Sequence, residues 1–150
     1  MPQKRSTHIP ENSSPLQEKF INYLMNDGKK NTARRIFKDT FGIISKKDQH
    51  PEKVFQRAVD NVKPNMEVKA KRIGGSVYQI PVEVKPNRQI ALAFRWIIGS
   101  ARSGKGSPMA KKLATELLNA ANGEGAAVKK KEDTLKMAAA NKAFAHYARY

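Results

Sequence analysis

The chain has 150 residues, enough for one domain that buries roughly two thirds of its unfolded surface. It contains no cysteine and only three scattered histidines, His8, His50 and His146, which excludes thiol catalysis and a disulfide framework and leaves no expectation of a metal or other cofactor. Twenty-nine lysines and arginines against thirteen acids give a formal net charge of +16, a self-repelling balance that calls for a polyanionic partner, nucleic acid first of all.

No apolar run approaches membrane-spanning length, and Met1 to Ser14 lacks the apolar core of a secretory signal, so no membrane partner is expected and the chain is expected to work in the cytoplasm. Residues 1–13 are polar and aperiodic, with Lys4 and Arg5, and read as a basic arm that orders on binding; residues 14–150 read as a helical domain. Ser14 suits an N-cap, Pro15 the first helical position, and Gln17 the third position of a capping box. Leu16, Phe20, Tyr23 and Leu24 then share one face, with Gly28 as the expected stop and Lys29 and Lys30 at the turn. A second helix is predicted from about Asn31, with Ala33, Ile36, Phe37, Thr40, Phe41 and Ile44 inward. After a polar loop from Ser45 to His50, Pro51 opens a third helix carrying Val54, Phe55, Ala58, Val59 and Val62, and Lys63-Pro64 stops it. Their aromatic residues fall at the apolar period and are read as core.

At residues 66–84 the period changes to two. Val68 and Ala70 alternate with Glu67, Lys69 and Lys71, then Tyr78, Ile80, Val82 and Val84 alternate with Val77, Gln79 and Glu83, around Gly74-Gly75-Ser76. This is a β-hairpin whose tip glycines supply positive φ. Pro81 requires a strand with a free side, which favours an isolated two-stranded ribbon. Such a ribbon is marginal alone, so it either lies on the helices or projects as an arm whose Lys69, Lys71, Arg72, Lys85 and Arg88 meet an acidic partner.

Pro86-Asn87 begins a fourth helix with Ile90, Ala93, Phe94, Ile97 and Ala101 inward and Arg88, Arg95 and Arg102 seven residues apart on one stripe. Guanidinium forks without nearby counter-ions suit phosphate oxygens. Trp96 is read as packing rather than stacking on a base. The loop RSGKGSP, residues 102–108, lacks nucleotide-binding spacing; Lys105 lies in it, and Lys111 and Lys112 fall in the first turn of a fifth helix with Met109, Leu113, Leu117 and Ala120 inward. Lysines there oppose the helix dipole unless an anion sits at that end. No acid occurs between Glu83 and Glu116, whereas the first sixty residues carry acids at intervals, so the positive field is expected on the hairpin and on the chain beyond it. Gly123 and Gly125 precede a last, alanine-rich helix, expected to run to the end of the chain through Lys142, His146 and Arg149.

No spacing places a nucleophile beside a base, and the chain is not read as an enzyme. Taken together, Asp27-Gly28-Lys29-Lys30, the run from Arg72 to Val84, Arg95-Trp96-Ile97, Ala126-Ala127-Val128-Lys129-Lys130, and the run from Ala140 to Tyr147 resemble the small-subunit ribosomal protein S-seven family, in its bacterial and organellar branch. The resemblance implies a mainly α single domain of about six helices with a protruding two-stranded hairpin arm between helices three and four. It implies binding to the 3′ major domain of small-subunit rRNA, nucleation of head assembly, a ribbon near exit-site tRNA and mRNA, and neighbours among the head proteins and ribosomal protein S-eleven, with no homo-oligomer. It makes Lys29, Lys30, Lys69, Lys71, Arg72, Arg95, Arg102, Lys111, Lys112 and Lys142 candidate rRNA contacts, joined by the basic or titratable Lys4, Arg5, Arg88, Lys105, His146 and Arg149. Gly74, Gly75, Ser76 and Tyr78 become the exit-site tip of the arm. Location on a bacterial cytoplasmic ribosome is expected, an organellar one being the variant. The competing reading is an architectural protein that grips the DNA minor groove with a ribbon; such ribbons carry a wedge at the tip, which Gly74-Gly75-Ser76 lacks.

Overall fold

The computed structural model describes residues 9–48 and 50–149; the expected basic arm lies mostly outside them. Six α-helices and one ribbon follow in the order α1 Pro15–Leu24, α2 Lys30–Ser45, α3 Pro51–Val62, β1 Met66–Ile73, β2 Ser76–Glu83, α4 Pro86–Ser103, α5 Met109–Ala121 and α6 Ala126–Ala140, closed by a 3₁₀ segment Lys142–Arg149. The expected mainly helical domain with a hairpin between the third and fourth helices is what forms.

The start of α1 follows its chemistry. Ser14 is extended, its Oγ accepts the Gln17 N–H at 3.2 Å, and Pro15 takes the first helical position. The helix stops at Leu24, four residues before the glycine expected to end it; Asp27 and Gly28 both adopt positive φ, 54° and 72°, to turn the chain into α2.

Phe20 of α1 is the centre of the aromatic core. Phe94 and Phe20 meet edge to face at 5.1 Å, Phe20 and Phe55 at 5.2 Å, so three fully buried rings tie α4, α1 and α3 together. Leu113 and Leu117 of α5 and Ile97 of α4 are equally buried, and Trp96 packs on this core as expected.

Helix ends are finished by residues distant in sequence. Asn61 Nδ2 donates to the carbonyls of Ala120 and Ala121 at the end of α5, at 2.9 and 3.1 Å. Lys131 Nζ donates to the Asn61 carbonyl at the end of α3, at 3.0 Å. At the start of α6 the buried Glu116 accepts the Ala127 N–H at 3.0 Å, and Gly125, at φ 96°, leaves room for it: a Cβ there would stand 3.1 Å from Glu116 Oε1. These bonds satisfy backbone groups that a helix cannot satisfy itself.

The ribbon is antiparallel, with Ile73 opposite Ser76 and Met66 opposite Glu83. Gly74 and Gly75 both have positive φ, 57° and 83°, the signature of a type I′ two-residue turn. Both expectations for the ribbon meet here. Its base lies on the body, with Ile80, Pro81 and Val84 buried, while Gly74 to Val77 are exposed.

The last helix differs from expectation. α6 ends at Ala140, where Asn141 donates both its backbone N–H and its Nδ2 to the Met137 carbonyl, at 3.1 and 2.8 Å. The backbone bond is the last rung of the helical ladder, and the side chain caps the same carbonyl. The chain then turns back as 3₁₀ onto β2, where Tyr78 meets Phe144 and Tyr147, each ring centroid 5.2 Å from its own.

Candidate nucleic-acid interface

Because α4 packs against other helices on most sides, only a narrow strip of it faces outward: Arg88, Arg95, Gly99 and Arg102 are exposed along it, joined by Pro86 and Asn87 at its start and Ser103 at its end. From Arg88 to Arg102 the helical rise spans roughly 21 Å, long enough to face several phosphates. The three arginines do not stand alike. Arg95 forms no ion pair with any acid among the described residues. Arg88 is paired, its Nη2 3.6 Å from Glu67 Oε2 of β1, so the expectation of a stripe without counter-ions fails at that end. Arg102 Nη2 donates to the Leu24 carbonyl at 3.1 Å and to Asn26 Oδ1 at 3.2 Å. It finishes α1, in the same way that Lys131 finishes α3.

This second bond gathers several candidate residues at one end of the body. Asn26 also accepts the Lys29 N–H through its backbone carbonyl at 3.0 Å, so the turn carrying Lys29 and Lys30 adjoins Arg102, with Lys105 three residues further on. Lys29 and Lys105 are exposed. Lys30 is half-buried, 4.0 Å from Glu18. Between α4 and α5 a groove of about 290 Å³ is lined by Ser100, Gly104, Ser107, Lys111, Lys112 and Thr115. Lys111 is exposed there, whereas Lys112 folds back to donate to the Gly104 carbonyl at 3.1 Å. Pro108 precedes α5 and offers no side-chain cap, while its carbonyl accepts the Lys111 and Lys112 N–H groups at 3.1 and 3.2 Å.

On the ribbon, residues directly opposite share a face, so Lys69 pairs with Ile80 and Lys71 with Tyr78, while Arg72 pairs with Val77 on the other side. Lys69 and Arg72 are exposed. Lys71 reaches the Tyr147 carbonyl at 3.4 Å. Gly74, Gly75 and Ser76 form the tip; Tyr78 does not, being half-buried in the aromatic cluster with Phe144 and Tyr147. The apolar residue at the tip is Val77, 64% exposed, which sequence reading grouped with Gln79 and Glu83 on the side away from Tyr78 and Ile80. Lys142 and His146 are on the 3₁₀ segment, His146 exposed and lying 4.0 Å from the Tyr147 ring, Lys142 exposed near its start. Lys4 and Arg5 lie outside the described residues, as does the side chain of Arg149.

Sequence reasoning also missed the residue that organises the acidic side. Glu18 is buried, bound by both nitrogens of the Arg34 fork, with one bond at 2.9 Å, and by the Ser13 hydroxyl at 2.8 Å. The Arg34 hydrogen bonds hold the Glu18 carboxyl below its ordinary range against the opposing effect of burial, and Glu18 in turn raises Arg34. The sixteen-residue spacing offered no periodic signal for this pair. Among the described residues no group of three or more His, Asp or Glu side chains is placed to hold a metal, and no helix is long and apolar enough to cross a membrane.

Compared with known proteins, residues 1–142 match the family described as Ribosomal protein S7p/S5e. The chain is 55% identical over 140 residues to the small ribosomal subunit protein uS7 of Nitratiruptor sp., covering 92% of this chain and 90% of the relative. It is 51% identical over 148 residues to the protein of that name from Desulfovibrio desulfuricans, covering 98% and 95%. Its counterpart in Salinibacter ruber is 49% identical over 149 residues, covering 97% and 95%.

Proposed function

The chain belongs to the ribosomal protein S7p/S5e family, and from that premise we propose that it binds the 3′ major domain of small-subunit rRNA, nucleates assembly of the subunit head and lines the tRNA exit site with its ribbon tip. As a member of this family it is a structural constituent of the small ribosomal subunit and not an enzyme.

The observation that carries the finer reading is the open strip of α4, set in a stretch from Val84 to Thr115 that contains no acid. Arg95 supplies a free guanidinium, and the Lys29 turn, Arg102, Lys105 and Lys111 extend the positive surface around the end of the helix. Affinity comes from counterion release as these groups meet phosphates, and specificity from the fit of a rigid helical body to a folded RNA junction. The exposed tip, Gly74 to Val77, is narrow enough to enter a channel occupied by tRNA and mRNA. The head proteins and S-eleven are the expected protein neighbours, on a bacterial ribosome in keeping with the bacterial relatives.

The test is binding to a transcript of the 3′ major domain against an RNA duplex of equal length across a salt titration. Preference for the domain that persists as salt rises supports the proposal. Affinities that fall together refute shape-specific recognition.

A further inference from the structure

We propose that residues 141–149 form a strap on the ribbon, fastened by the aromatic cluster around Tyr78 and drawn shut when a polyanion binds. The inference goes beyond the ribosomal reading, since it requires only a polyanion and not a particular RNA.

Three observations converge on it. The fastening is local: Tyr78 lies 5.2 Å from both Phe144 and Tyr147, whose rings are 6.2 Å apart and nearly parallel at 19°. Among the described residues the ribbon adds a single side-chain hydrogen bond, from Lys71 Nζ to the Tyr147 carbonyl at 3.4 Å.

The strap is intrinsically weak. Eight of its nine residues are 3₁₀, a geometry seldom sustained beyond three or four, and no residue from Lys142 to Ala148 is buried. Few buried contacts place such a segment at the low end of local stability.

Its charge opposes closure. The sequence from Asn141 to Arg149 carries the cations Lys142 and Arg149 and no acid, and Tyr78, onto which it closes, shares its face of the ribbon with Lys69 and Lys71. Glu67, the acid of β1, is already taken by Arg88, and Glu83, the acid of β2, stands at the base of the ribbon, on the face opposite Tyr78. Closing therefore brings like charges together, and the aromatic contacts must outweigh that repulsion. A polyanion reverses the balance, because the closed form presents cations from both segments at once and binds it more tightly than the open form does. A ligand with that differential affinity shifts the equilibrium toward closure.

The chain lacks cysteine, so a Gln79→Cys, Ala145→Cys double variant of the full chain, at two exposed positions, accepts a clean pair of spin labels. Pulsed dipolar spectroscopy then reads the ribbon-to-strap distance. At ~0.05 M salt a short and a long population are expected, and screening at ~0.5 M salt raises the short-to-long ratio several-fold. Polyphosphate at low salt does the same. Adding Tyr78→Ala, or Phe144→Ala from the other side of the contact, moves most molecules to the long distance, while the helical circular dichroism of the body stays unchanged. One short distance at both salt concentrations, a lengthening on addition of polyphosphate, or a Tyr78→Ala distribution like that of the parent overturns the proposal. None of these outcomes depends on whether the protein prefers the 3′ major domain.

Discussion

Arg95 and Arg102 lie two turns apart on the same strip, yet they should behave differently when replaced by alanine. Arg102 gives two hydrogen bonds from one nitrogen, to the Leu24 carbonyl and to Asn26 Oδ1, and it places a cation at the C-terminal end of α1. A hydrogen bond from a charged donor is worth about 1.5 to 3 kcal/mol when shielded, and the helix-end charge adds about 0.3 to 1 kcal/mol. Arg102 is exposed, so water screens both contributions, and Arg102→Ala should cost about 1 kcal/mol. For a domain of this size that lowers Tm by about 3 °C. Among the described residues Arg95 forms no ion pair, and Arg95→Ala should stay within about 0.5 kcal/mol of the parent. In RNA binding Arg95→Ala should flatten the plot of log K against log salt by about one unit, the release of one phosphate contact. Urea melts and a filter-binding salt titration on the two variants decide the matter. An Arg102→Ala protein as stable as the parent refutes the capping role. An unchanged salt slope in Arg95→Ala refutes the phosphate role, and leaves that side chain simply solvated.

Glu18→Gln should lower stability by about 1 kcal/mol at neutral pH, because it leaves the Arg34 fork facing a neutral partner in a pair whose acid is buried but whose arginine is partly screened by water. The Glu18 carboxyl is held below its ordinary range in the folded state, so its contribution is complete above the unfolded carboxylate's pKa and fades as pH falls through the lower, folded one; melts across the acid range should therefore show a shallower loss in the Gln variant. Gly125→Ala should destabilise by about 2 kcal/mol, since the residue adopts φ 96° and its Cβ would press on Glu116 Oε1; a neutral melt overturns that account of the α5–α6 corner. Deletion of Gly74 to Ser76 should leave docking on the 3′ major-domain transcript intact while impairing exit-site tRNA retention on reconstituted subunits. Loss of docking would instead assign the tip to the primary RNA site.

The elements that sequence made legible are those whose signal is local. Apolar periods of helix and strand, Ser14-Pro15, Lys63-Pro64 and the paired glycines of the tip placed the first five helices and the ribbon close to where they stand. The end of α6 was not legible, because the alanine-rich run continues to favour helix past Asn141 and the reason to turn back, Tyr78, lies more than sixty residues upstream. The arginine stripe on α4 was visible as spacing, but not the division of labour within it: Arg88 meets Glu67 and Arg102 meets Leu24 only after the chain has folded. Lys112 and Lys71 teach the same lesson. A cation counted as available for phosphate can already be spending its donors on a carbonyl of its own fold.

The cross-capping of helix ends also sets a timetable for synthesis. Leu24 waits for a donor 78 residues later in the chain, and Asn61 for one 70 residues later. At ribosomal rates of ~5 to 20 residues per second, α1 emerges roughly 4 to 16 s before Arg102 does. Over that interval the α1–α2 corner relies on the Glu18–Arg34 pair, whose partners are only sixteen residues apart and are translated almost together. Each of these two helix ends is sealed only when its distant donor has been translated.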